Sequence, residues 1–233
     1  MSKARLAGGL WLLVIITGMF AEVVVRGRLF VSGDAAATVT NILGAEFLYR
    51  SGIVADLIAA TAYIGVSVLL YDLFSPESRS LSRAAVALGL AGSAIMAANL
   101  INLFGPLVLL GRTTAVIALD APTTQALSLA ALRLHGLGYT LALMVFAIQV
   151  GLLGILALRS TFVPRLIGLL LCIEGVAGLA DGGAIILAPA LARLIHPLLG
   201  WPALIAEGSF ALWLLAGGWN DGGLGREELG RAT

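Results

Sequence analysis

Six residues able to move a proton, pair with an ion or hydrogen-bond a ligand, Glu22, Asp56, Asn99, His135, Asp181 and Glu207, stand one each in six long apolar stretches. A charged side chain at the centre of a membrane helix costs about 2.5–3.5 kcal/mol even on the gentlest scale, so a chain that carries several ionisable groups in its spans invites a functional reading. A carboxylate in a low dielectric either pairs with a cation or takes up a proton. Arg26, Arg50 and Arg133 are the cations nearby in sequence, and Arg26 with Glu22 or Arg50 with Asp56 are the natural pairings along one segment. Two chemistries remain open. One is a structural ion-pair network; in the other, Arg26 and Arg50 face an anionic ligand while acids on other helices bind or protonate another part of it.

The same residues divide by role. In an enzyme, Glu207, Asp56 and His135 would be the catalytic groups, a carboxyl acting as general acid or base on a lipid or isoprenoid-like substrate. In a binding protein, Glu22, Arg26, Arg50, Asn99, Asn102, Tyr139, Glu174, Asp181 and Trp213 would line the ligand. Tyr139 follows His135 by one helical turn, and Asn102 lies near Asn99. Glu174 falls about 13 Å beyond Arg165 at the helical rise, near the bilayer centre, where snorkelling to water is difficult. That depth suits a relay in a proton-coupled carrier, although no span is plainly broken at midplane as carrier sites often are. His135 with Glu207, Asp181 and Glu22 would offer a divalent ion an oxygen-rich set. The chain has no His-x-x-x-His or Glu-x-x-His spacing, however, so neither a metal nor another cofactor is expected. No serine or cysteine stands in a nucleophile motif, and Cys172, the lone cysteine, reads as packing.

Positioning these groups requires a membrane fold. Of 233 residues, 60% are hydrophobic and 12% charged, and the mean hydropathy is +1.03, far from a soluble domain. About 20 apolar residues cross the hydrocarbon core, and spans are expected near 6–26, 52–74, 83–105, 136–158, 164–187 and 201–219. The predicted class is all-α: a polytopic bundle of six transmembrane helices over 1–220, with a short cytoplasmic tail at 221–233. A net charge of +1 without a basic run argues against nucleic acid and leaves a membrane lipid or small amphiphile as the expected partner. Oligomeric state is not legible. The run after Lys3 and Arg5 continues through Glu22 without a small-residue cleavage site, so it is read as a span and not as a signal peptide.

Lys and Arg favour the side that holds both termini, which places the termini in the cytoplasm of a bacterial inner-membrane protein. Residues 35–50 follow Asp34, a good N-cap, and read as a short interfacial helix with Glu46 and Arg50 at i,i+4. In the third connection Pro106 disturbs one helix end, and Asp120-Ala121-Pro122 resembles a cap with proline in the first turn. Segments 35–50 and 107–134 would roof an outward-facing pocket. Aligning Arg5, Arg83 and Arg165 brings Glu22, Asn99 and Asp181 to one depth, with Asp56, His135 and Glu207 about a turn or two after their spans enter from outside. This pattern is compatible with three helical-hairpin repeats. Gly178 and Gly182 mark internal helix packing, and Trp201 and Trp219 fit an interfacial belt while Trp213 lies deeper.

Arg5 to Leu10, Glu22 through Arg26 to Leu29, Gly33-Asp34, Thr38 to Asn41 and Arg50 to Asp56 resemble a bacterial six-helix membrane family of unknown function. So do Val163-Pro164-Arg165, Glu207 to Trp213 and Gly218-Trp219-Asn220. The likeness covers most of the chain. It implies six helices and draws attention to Glu22, Arg26, Asp34, Asn41, Arg50, Asp56 and Glu207, without implying an activity.

Overall fold

A stretch of lipid-facing backbone must satisfy every N–H and C=O within itself, and a chain this apolar meets that requirement with helices. The computed structural model describes residues 2–111 and 119–217, and among them there are helices and no strands. Six helices are long and apolar enough to cross a membrane: α1 (Lys3–Leu29), α3 (Glu46–Phe74), α4 (Arg79–Leu110), α5 (Ala121–Arg159), α6 (Arg165–Leu187) and α7 (Pro189–Ala216). The shorter α2 spans Ala35–Gly44. The tail at 221–233, Trp219 and part of the 107–134 segment lie outside the described residues.

Three helices start earlier than hydropathy suggests. Glu46–Arg50 belongs to α3 and not to the short helix, which ends at Gly44. The polar stretch before residue 136 is the first third of α5, and residues 189–200 are part of α7 and not a loop. Proline explains two of these errors. Pro122 and Pro189 stand in first turns, where no N–H is needed. Pro197 and Pro202 lie inside α7, a tolerated substitution in a packed membrane helix.

The contacts form two compact units. Among the described residues, one gathers 2–12, 63–90 and 144–217, the other 13–62, 91–111 and 119–143. In the first, α5 and α6 touch along a glycine seam: a Cβ on Gly175 would lie 2.8 Å from the Ala147 carbonyl oxygen and 2.8 Å from the Gly151 Cα. On the same seam a Cβ on Gly154 would meet the Cys172 Sγ at 2.7 Å and one on Gly178 the Ala147 Cβ at 2.8 Å, so Gly178 serves packing within the chain. Gly8 is equally crowded, its notional Cβ 2.6 Å from both the Ala211 oxygen and the Leu215 nitrogen. Trp11, Tyr63, Phe146 and Phe210 fill the space between, with Trp11 edge-on to Tyr63 at 5.8 Å and to Phe210 at 5.4 Å.

In the second unit the core is Val25, Leu29, Ile42, Tyr49, Ile53, Leu100, Leu103 and Leu132. The turn into α2 is built by Gly33 at φ 81°, a left-handed angle that glycine adopts without strain. The expected cap forms: Asp34 Oδ1 accepts from the Ala37 N–H at 2.8 Å. Thr38 and Asn41 tie α2 back to the end of α1, through Val31 N–H to Thr38 Oγ1 at 2.9 Å and Asn41 Nδ2 to the Leu29 carbonyl at 3.3 Å. Asp120 caps α5 as its sequence suggests, accepting from the Thr123 N–H at 3.0 Å. The Thr123 hydroxyl and amide together hold its carboxyl below the usual aspartate range.

Candidate functional site

Four of the six polar positions, Glu22, Asp56, Asn99 and His135, fall in the second unit; Asp181 and Glu207 fall in the first. The two sets are built on different chemistry.

In the second unit, α1 widens from α-helical to π-helical geometry over Phe20–Arg26, a distortion frequent at functional sites. The widened turn packs on Gly52 of α3, whose notional Cβ would lie 2.9 Å from Val25 Cγ1. One turn further along α3, at Asp56, the next residue of α1 finds its partner. Arg26 donates from Nη1 to Asp56 Oδ2 at 2.6 Å and from Nη2 to Oδ1 at 3.3 Å, and from Nε to Glu22 Oε2 at 2.6 Å. Arg26 and Asp56 are 7% and 2% exposed, whereas the Glu22 side chain is 58% exposed. The guanidinium carbon also stands 5.7 Å from the Tyr139 ring centroid, close enough for a cation–π contact.

The predicted Arg26–Glu22 pair is therefore present, but the partner of Asp56 is Arg26, not Arg50. Arg50 bonds Glu46 at 2.7 Å through an exposed i,i+4 pair. Helical spacing made Arg50–Asp56 plausible along the chain; the glycine at position 52 lets another helix bring a better-placed cation.

Beside this group, Asn99 donates from Nδ2 to the His135 carbonyl at 2.8 Å and approaches His135 Nδ1 at 3.1 Å. Asn102 donates to Asn99 Oδ1 at 2.9 Å. A Cβ on Gly138 would collide with the Asn99 side chain, so glycine admits the amide to α5. Arg26, Asp56 and Glu22 all lie within electrostatic range of His135. Just after Asn99, α4 tightens to a 3-10 turn at Leu100–Leu103, and Tyr49 donates its hydroxyl to the Leu103 carbonyl at 2.7 Å.

The first unit holds a second cluster. Glu174 on α6 is 6% exposed, and the group within hydrogen-bonding reach of its carboxyl is the carboxyl of Glu207 on α7. Glu207 Oε2 accepts from the Trp11 indole N–H at 2.7 Å. Tyr63, 5% exposed, directs electrostatic contact to both carboxyls, and no hydrogen-bond partner for its hydroxyl occurs among the described residues. Neither carboxyl has a salt bridge among those residues.

Glu207 therefore lies deeper than a turn or two past the entry of its helix. Because α7 begins at Pro189, Glu207 stands about 27 Å along it at about 1.5 Å per residue, level with Trp11 and Glu174. Asp181 has a separate partner, its Oδ2 lying 2.8 Å from His196 Nδ1 in α7. Trp213 is half-buried, and its indole N–H has no hydrogen-bond partner among the described residues. No group of three or more His, Cys, Asp or Glu side chains suited to a metal occurs among those residues either.

Trp11, Tyr63 and Tyr49 were not singled out from sequence. Trp11 carried a usable signal: it lies too far inside its span for the interfacial belt, so its N–H needs a buried acceptor. No curated protein and no solved structure matches the chain. The model of a family described as a domain of unknown function, DUF4386, matches residues 6–218, and the protein, a multi-pass membrane protein with six long apolar helices, belongs to that family.

Proposed function

We propose that this protein binds the anionic headgroup of a lipid or small amphiphile at Arg26, from the side of the membrane opposite its termini. In this reading it resides in a bacterial inner membrane with both termini in the cytoplasm. The observation that carries the proposal is the asymmetry of the Arg26 ion pairs. Asp56 is enclosed and fixes two guanidinium nitrogens, while Glu22, on the third, is largely exposed and can turn away into the headgroup region. A phosphate or carboxylate arriving there replaces one carboxylate with another anion and leaves the buried pair intact. Tyr139 and the Asn99–His135 pair supply an aromatic face and polar edges next to the guanidinium.

The test compares thermal unfolding in nanodiscs of phosphatidylcholine with and without phosphatidate, for the wild type and Glu22→Gln. Selective binding stabilises the folded state by about 2.7 kcal/mol when ligand is at a hundred times its dissociation constant. The expected result is stabilisation by phosphatidate that grows when Glu22 no longer competes. Equal stability in both bilayers for both proteins would refute it.

A further inference from the structure

The Glu174–Glu207 cluster takes no part in headgroup binding at Arg26, yet it holds a carboxyl, that of Glu174, only 6% exposed. Two carboxyls on neighbouring helices α6 and α7 meet within hydrogen-bonding reach. A carboxylate accepts hydrogen bonds and donates none, so contact between two of them in apolar surroundings is attractive only when a proton stands between them. Neither acid has an ion pair among the described residues to offset its charge.

The groups that face the pair are few. From α1 comes Trp11, whose indole N–H bonds Glu207 Oε2 at 2.7 Å; it fixes that carboxyl and carries no titratable proton in this range. From α3 comes Tyr63, buried, its hydroxyl unpartnered among the described residues and within electrostatic reach of both acids. Glu174 Oε2 is likewise enclosed, with no donor serving it among those residues. Two carboxylates contain no donor between them, and one proton on the pair supplies the donor their contact requires. Phe146 and Phe210 close the apolar wall around Tyr63 and Trp11.

We infer that Glu174 and Glu207, with Tyr63 and Trp11 as their hydrogen-bonding surround, form an intramembrane proton-binding site holding one exchangeable proton between two carboxyls. The site binds by hydrogen bonding and releases the proton to an acceptor that reaches Glu207, the half-buried member.

Infrared spectra of the full chain in lipid bilayers at neutral pH test this directly. A carboxylic-acid C=O band is expected that moves in heavy water and also moves when the chain is grown on isotope-labelled glutamate, which needs no variant. The band is expected to vanish in Glu174→Gln and in Glu207→Gln, to persist in Asp56→Asn, and to shift in Tyr63→Phe. Absence of a glutamate acid band in the wild type overturns the inference. So does its survival in both Gln variants, or its loss on adding sodium chloride but not choline chloride, which would make this a sodium site.

Discussion

The Arg26–Asp56 cluster and the Glu174–Glu207 cluster solve one problem in two ways. Each buries one carboxyl, that of Asp56 or that of Glu174. In the first, a guanidinium from another helix neutralises the charge, and an exposed second carboxylate completes the set. In the second, no cation is supplied among the described residues, and the partner of the buried acid is another acid. The difference teaches that burial depth alone does not predict chemistry. What matters is whether the opposing helix brings charge of the other sign, and that was decided at Gly52, a residue with no side chain to offer.

The largest effect should come from removing the cation. Arg26→Leu leaves Asp56 buried without a counter-charge, a loss of about 3–5 kcal/mol, read by equilibrium unfolding in bilayer mimetics. Glu174→Gln, by contrast, should change stability by under about 1 kcal/mol, since an amide can replace a protonated carboxyl in size and hydrogen bonding. Equal losses would erase the distinction between the clusters. The double variant Arg26→Met with Asp56→Leu should recover most of the loss, because apolar replacement of a whole buried pair is often neutral or better. Next in size is Gly52→Val, which overpacks Val25 and is expected to cost about 1–3 kcal/mol and to weaken phosphatidate binding along with it. Trp11→Phe should cost about 1 kcal/mol, the net worth of one hydrogen bond, with the infrared acid band shifted and not lost. The smallest effect belongs to Asp120→Ala, which touches neither cluster: faster amide exchange at Thr123 and nothing beyond the first turn of α5. Because the folded Asp120 carboxyl titrates below its ordinary value, its cap is fully in place above about pH 4. It fades as pH falls through that depressed value.

The six helices were legible because apolar runs of that length have few alternatives in a membrane. So were the local features: the Asp34 and Asp120 caps and the i,i+4 pairs Glu22–Arg26 and Glu46–Arg50 depend on spacing within one helix. The cross-helix partners were not. Asp56 was matched to the cation nearest in sequence, and the packing at Gly52 that selects Arg26 has no signature in one sequence. Glu207 was misplaced in depth because its span was expected to begin near residue 201, and the start of the helix at Pro189 carries its acid to Glu174. The need of Glu174 for a partner or a proton could be read from its depth alone; the identity of the partner could not.

Trp11 and Glu207 are separated by 196 positions along the chain, and Gly8 packs against the backbone of Ala211–Leu215. Helix α1 docks on its neighbour α3 through Arg26–Asp56, but its indole N–H and its glycine face find their partners only on α7. Truncation within α7 should therefore loosen the packing of α1, nearly two hundred positions away, as much as that of α7 itself.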